Sequence, residues 1–390
     1  MKNLTKVIFV IIAAALVFSE LNPPGYAADP ETIKIGYIAP FIGPAAELGN
    51  NGLKGILLAL QDINKKGIKI GDKSYKIQII QYDSGCMPQK GVTGILKMVT
   101  EDKVVAILGG HCDGVCKPVA KLCDKFEIPG ITIECAEDSV TKPGHEFYFR
   151  MRPPVSLIVP LFMPKLFRTF APRTAAFLVI DDDYGHRYLE SVAHELNWRD
   201  VRIVAKETFE RGTNDFAAQL TKIKESNADL LFLVGTASEG AVILKQAKEM
   251  GMMRRTKFIG SAEMGEMEIL LRAGPEALDG TYAVSLWGKV PPEFEKRIRD
   301  SFNKPMHYGM IFGYDALHVL ANAIERAQSL DPVQIKDALK ETDYRGLEGR
   351  IRFKEFFVEG YKNQGKFTPS MIRWENGKRV HLDIFLGWDE

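Results

Sequence analysis

From Thr32 onward the chain alternates short β-branched runs with longer amphipathic stretches, and this repeated switch between a two-residue and a 3.6-residue period restricts it to the α/β class. Residues 32–38 read as a strand; Leu53, Ile56, Leu57, Leu60 and Ile63 then share one helical face, which Gly67 stops. Strands are predicted at 75–82, 104–108 and 131–133, with helices at about 87–100 and 118–126. The alternation restarts after Pro153-Pro154, with a helix to about Phe170 and strands at 175–180, 201–208, 230–234 and 257–260. Helices after Gly185 and at 214–224 and 241–250 separate them. Two βαβ series predict two parallel sheets, each covered by helices on both faces. Helices near 293–302 and 309–327 follow, and from Gly349 the tail turns to short strands at 350–353, 370–374 and 380–385.

The N-terminus sets the expected compartment. Lys2 and Lys6 precede an apolar run over residues 7–18, a polar stretch follows, and Tyr26-Ala27-Ala28 supplies small residues at a cleavage site. Residues 1–28 therefore read as a signal peptide. The run is short of the roughly 20 residues that span a bilayer, and no Cys lies nearby for lipid attachment. The expected mature chain begins near Ala28 or Asp29, in a periplasm or outside the cell. All five cysteines fall between Cys86 and Cys135, where an oxidising compartment makes disulfides the default and an odd count leaves one thiol free. With 51 basic against 50 acidic residues and no basic cluster, nucleic acid is not an expected partner.

In open parallel sheets the loops at the carboxyl ends of the strands converge on a ligand. Four such loops stand out: 40–50, 109–116, 134–139 and 181–185. His111, Cys112, Cys116 and Cys123 contain the donor types of a zinc site, but not its paired short spacings; disulfide plus buried thiol is the plainer reading. Asp181-Asp182-Asp183 lacks the spaced oxygens of a calcium loop, so capping of the next helix is expected. Tyr184 beside it either presents its ring to a ligand or packs at the lobe surface. An α/β enzyme finds little support, since there is no G-x-S-x-G elbow and the glycines match neither a P-loop nor a dinucleotide fingerprint. No metal and no cofactor is expected.

Along nearly its whole mature length the chain resembles the leucine/isoleucine/valine-binding proteins of bacterial ABC importers. The resemblance is carried by IKIGYIAPFIGPAAELGNNGLKGILLALQDINKKG, YDSGCMPQKG, ILGGHCDGVCKP, VIDDDYGHRY, TNDFAAQLTKIKESNADLLFLVGTASEGAVILKQAKEMGM and GYDALHVLANAIERA. It implies a type I periplasmic-binding fold: two doubly wound parallel-sheet lobes joined by three crossovers, near 151–154, 284–287 and 347–351. Lobe 1 would then hold 29–152 and 285–349, and lobe 2 would hold 153–284 and 350–390. It implies a secreted, monomeric solute-binding protein, with a small-molecule ligand and with permease and ATPase subunits in the inner membrane as partners. It also implies that Cys86 pairs with Cys112, leaving Cys116, Cys123 and Cys135 unassigned.

Carried over position by position, the family's ligand contacts fall on Leu48, Asp113, Glu134, Cys135, Ala136, Tyr184, Ala237 and, in the second lobe, Ala262 or Glu263. The departures have a direction. Where relatives place a Ser after the second cysteine this chain has Asp113, and the loop that usually reads Ala-Ala-Thr is Glu134-Cys135-Ala136. A carboxylate just before a helix fills the anion site that the free N–H groups and dipole would offer. Such a cleft suits a neutral or cationic head group; if Asp113 only caps and Glu134 faces solvent, a backbone-lined amino-acid site remains. The ligands open at this point are a branched-chain amino acid or an amide, urea-like compound, polyamine or aromatic acid, and a sensor subunit is an alternative to transport.

Overall fold

The central strands are apolar on both faces, the pattern of parallel strands sandwiched between helices; Ala106–Gly109 and Leu230–Val234 are buried at every residue. The computed structural model describes residues 31–288, 290–347, 349–356, 360–365 and 369–384. The expected signal peptide lies outside the described residues, as does Phe385 at the end of the last expected strand.

The first sheet takes β1 (Glu31–Ala39), β2 (Ile68–Ile70), β3 (Lys73–Asp83), β4 (Ala106–Gly109), β5 (Gly130–Thr132) and β6 (Tyr148–Arg150). The second takes β7 (Thr174–Ile180), β8 (Arg202–Phe209), β9 (Leu230–Val234), β10 (Lys257–Gly260) and β11 (Tyr282–Ser285). A separate ladder joins β12 (Tyr344–Gly346) to β13 (Gly349–Ile351). Then β14 (Lys354–Phe356) and β15 (Tyr361–Gln364) extend the first sheet, and β16 (Ser370–Glu375) and β17 (Lys378–Ile384) extend the second. The strand orders β14-β15-β6-β5-β4-β1-β3-β2 and β17-β16-β11-β10-β9-β7-β8 make each half doubly wound. β1 pairs in parallel with both β3 and β4, and β7 with both β8 and β9. These are the switch points where loops diverge to leave a crevice.

The tail departs from the expected division. β14 and β15 belong to the first sheet, so the chain passes to the second sheet between Gln364 and Ser370 and not at 347–351. The cause is Arg150, fully buried on β6. Its Nε donates to Gln364 Oε1 at 2.7 Å and its guanidinium also reaches Glu137 O and Thr141 Oγ1. Gln364 Nε2 in turn donates to Arg152 O at 3.0 Å, and the Gly365 amide to Arg150 O at 2.7 Å. A buried guanidinium needs these acceptors, and the tail strand supplies the side chain that meets Nε. β6 itself, between the expected strand at 131–133 and the prolines, is an element the alternation did not single out.

The helix Ala46–Lys66 lies against the helix Tyr308–Ala327 at glycine distance. A Cβ on Gly55 would fall 1.9 Å from Met310 O, and one on Gly313 would fall 2.3 Å from Gly52 O. This contact fixes the height of Tyr308 over the crevice.

Candidate functional site

Loops from both lobes close around one cavity of about 310 Å³, within the range of small-molecule sites. From the first lobe come Leu48, the Cys86–Cys112 disulfide, Pro88, His111, Asp113, Glu134, Arg152 and Tyr308. From the second come Ile180, Asp182, Tyr184, Arg211, Thr236 and Glu263. The wall is thus apolar at Leu48, Pro88 and Ile180, aromatic at Tyr184 and Tyr308, and carries charged side chains at Asp113, Glu134, Arg152 and Glu263.

The sulfur chemistry is used up in structure. Cys86 joins Cys112 and Cys116 joins Cys135, with Cα separations of 5.5 and 6.4 Å, while Cys123 is free and buried. Asp113, Cys116 and Cys135 lie close enough together to suggest a metal site, but two of its three donors are tied in a disulfide. The donors weighed as a zinc set disperse likewise, with Cys112 and Cys116 in different bridges. Mass spectrometry of non-reduced peptides is expected to recover 86–112 and 116–135 as cross-linked pairs with Cys123 as the free thiol; Cys86 and Cys112 recovered as thiols from exported protein would contradict this pairing.

Asp182 caps its helix, accepting from Gly185 N at 3.0 Å, and is also held by Arg211. Asp113, the first residue of the helix Asp113–Lys125, turns its carboxylate back so that Oδ1 accepts from Ala136 N at 2.8 Å; Oδ2 is buried without a partner. Burial pushes Asp113 up to about 6, against the Ala136 amide and Arg152, which favour its charged form. Glu134 is buried, and neither carboxylate oxygen finds a hydrogen-bond partner; His111 Nδ1 lies 3.5 Å from its Oε2. His111 Nε2 lies 2.7 Å from Tyr37 Oη. Arg152 is 5% exposed, with its guanidinium 5.7 Å from the Tyr184 ring and 5.8 Å from the Tyr308 ring, and Nη1 donating to Glu134 O at 2.9 Å.

The two lobes meet through polar bridges around this cavity. Tyr308 Oη donates to Glu263 Oε1, and His307 Nε2 lies 3.3 Å from Glu263 Oε2. The Gly309 amide donates to His307 Nδ1 at 3.0 Å, so the proton facing Glu263 sits on Nε2. At the rim Lys117 reaches Asp183 at 3.0 Å, Arg187 reaches Glu137, and Arg272 reaches Glu47 at 3.0 Å. The structure is therefore a closed arrangement of the lobes.

Of the residues the sequence singled out, Leu48, Asp113, Glu134, Tyr184 and Glu263 line the cavity. Cys135, Ala136 and Ala237 do not: Cys135 is buried in its disulfide, Ala136 spends its amide on Asp113, and Ala237 lies buried at the start of its helix behind Thr236. Glu134 is buried, so the picture of it facing solvent is corrected. Sequence reasoning missed Arg152 and Tyr308. The available signal for the first was a pair of arginines at 150 and 152 running into Pro153-Pro154 at the expected crossover. Tyr308 carried no comparable mark.

Two α/β lobes closed over a buried, charge-lined cavity define a protein that encloses a small solute. A model of the periplasmic binding protein family matches residues 32–359, and the chain belongs to that family. It is 26% identical over 339 residues to the leucine-, isoleucine-, valine-, threonine-, and alanine-binding protein of Pseudomonas aeruginosa, covering 85% of this chain and 88% of that one. The branched-chain amino acid transporter substrate-binding protein LivJ of Streptococcus pneumoniae, solved in complex with isoleucine, superimposes with a TM-score of 0.78 at 25% identity, covering 91% and 99%. A solute-binding protein of an R. palustris ABC transporter, solved with benzoate, shares the fold with a TM-score of 0.80 at 17% identity, covering 90% and 96%. These relatives are solute-binding proteins, not enzymes. Among the described residues no helix is long and apolar enough to cross a membrane.

Proposed function

We propose that the chain is the periplasmic solute-binding subunit of an ABC importer, capturing a branched-chain amino acid or a related small compound and presenting it to permease and ATPase subunits. The observation that carries this reading is the cavity itself, enclosed between two lobes and lined by both. In this reading residues 29–152 and 285–349 together with 354–364 move as one body, and 153–284 with 370–384 as the other, after the signal peptide has been removed. Closure by hinge motion buries the solute, and opening at the permease releases it unchanged. The same cavity performs no chemistry: its carboxylates are spent on caps, on lobe-to-lobe bridges and on the solute. The protein works as a monomer, with neither metal nor nucleic acid.

A thermal-shift screen of the mature chain from Asp29 against the amino acids, amides, polyamines and benzoate tests the reading. A solute that binds only the folded state stabilises it by about 2.7 kcal/mol at a hundredfold excess over Kd, which is a readable rise in Tm. A rise with at least one compound is expected; a flat response to every class would overturn the proposal.

A further inference from the structure

The cavity holds two buried groups of opposite charge, Arg152 and Glu134, and neither closes a direct guanidinium–carboxylate pair. Arg152 makes no ion pair within 4 Å among the described residues; its Nε is buried without a partner, its Nη1 donates to the Glu134 carbonyl at 2.9 Å, and Tyr184 is its side-chain hydrogen-bonding neighbour. Glu134 offers two buried oxygens that accept nothing. Leaving either charge uncompensated in a desolvated site costs several kcal/mol, so both groups are arranged for something that enters the cavity. At the head of the helix Asp113–Lys125 stands a buried carboxylate, because Asp113 turns its side chain into the site and onto the Ala136 amide. A carboxylate entering this cavity therefore meets like charge at Asp113 and an unpaired guanidinium at Arg152.

Resting on the solute-binding reading above, we infer that Arg152 anchors the carboxylate of the ligand and Glu134 accepts its ammonium, so that the solute is a zwitterionic amino acid docked through a guanidinium–carboxylate pair. The rings of Tyr184 and Tyr308 hold the guanidinium in place from opposite lobes, so the anchor is complete only when the cleft closes. Arg is suited to this role because its planar fork meets both oxygens of one carboxylate. His111 is a positioning residue, standing between Tyr37 and Glu134.

The test uses isothermal titration of the full mature chain with the twenty proteinogenic amino acids, then with the amine and the carboxylic acid made by deleting one charged group from the tightest binder. For leucine these are 3-methylbutylamine and 4-methylpentanoate. Each deletion is expected to weaken binding by about 100-fold, the scale set by leaving one member of a buried charge pair alone. Arg152→Met and Glu134→Gln are expected to weaken the amino acid by a similar factor, with Arg152→Lys between Arg152→Met and the wild type. Because the ligand analogues are titrated into unaltered protein, a variant that fails to fold does not hide the answer. An amine that binds within threefold of its amino acid, or Arg152→Lys and Arg152→Met variants that fold and bind normally, would overturn the inference. If amides, polyamines or benzoate bind and no amino acid does, this inference fails while the solute-binding reading stands; if nothing binds, both fail.

Discussion

The double substitution Gly55→Ala, Gly313→Ala is expected to lower the melting temperature by on the order of 5–10 °C, against the direction that helix propensity alone dictates. Both positions lie inside helices, where Ala is better than Gly by about 1 kcal/mol each, so isolated helices would gain. The packing decides otherwise. The new methyl groups would stand 1.9 Å from Met310 O and 2.3 Å from Gly52 O, and both obstacles are backbone atoms that cannot rotate away. The helices Ala46–Lys66 and Tyr308–Ala327 must separate, and overpacking of this kind costs about 1–3 kcal/mol per site, with backbone obstacles at the upper end. A net loss of about 3 kcal/mol converts to that temperature range for a domain of a few hundred residues. Gly288→Ala is the control, since a Cβ there meets nothing within 4 Å and its Tm is expected to stay within about 1 °C. A double variant as stable as the control would mean the two helices have room that the structure does not show. The consequence reaches the cavity, because Gly309, on the same helix, already leaves only 2.0 Å between a would-be Cβ and Glu134 Oε1.

How far the sequence alone revealed this molecule follows from the range over which each signal acts. Periodicity is local, and it located the long central strands to within a few residues, because burial on both faces leaves continuous apolar runs such as Leu230–Val234. It failed at β6 and β15, three and four residues long, whose place in the sheet depends on the buried contact between Arg150 and Gln364 across 214 residues. The same distance rule governs the site. Asp113, Glu134 and Tyr184 follow strands directly, where topology puts ligands, and Leu48 sits on the first turns of the helix after β1. Arg152 comes from a crossover and Tyr308 from the start of a late helix, and only the closed arrangement of lobes brings them against Tyr184 and Glu263. The expectation of a cleft suited to a neutral or cationic head group came from reading its acids along the chain without the guanidinium groups of Arg152 and Arg211 that folding brings into its wall.

Asp113→Asn is expected to flatten the dependence of stability on pH between about 4 and 7. Burial raises the Asp113 carboxyl to about 6, above its ordinary value near 3.9. Between those two values the folded chain keeps a proton that the unfolded chain has released, so stability falls as pH rises. The penalty is absent below about pH 4 and complete above about pH 6, where holding the carboxyl charged in its buried place costs about 3 kcal/mol. Asn keeps an oxygen for the Ala136 amide and removes the titration. Its own cost of burying an amide is independent of pH, and every other titrating group is common to both proteins, so the difference between variant and wild type isolates this one carboxyl. Measured by denaturant unfolding of the solute-free protein, the variant is expected to gain about 3 kcal/mol on the wild type between pH 4 and pH 7. Asp315, buried and raised to about 7 with its carboxylate on the Leu347 amide, contributes a fall of the same sign, so part of the slope persists in the variant. Parallel curves for the two proteins would mean that Asp113 titrates as an ordinary exposed carboxylate and is not the desolvated group that its burial beside the Ala136 amide makes it.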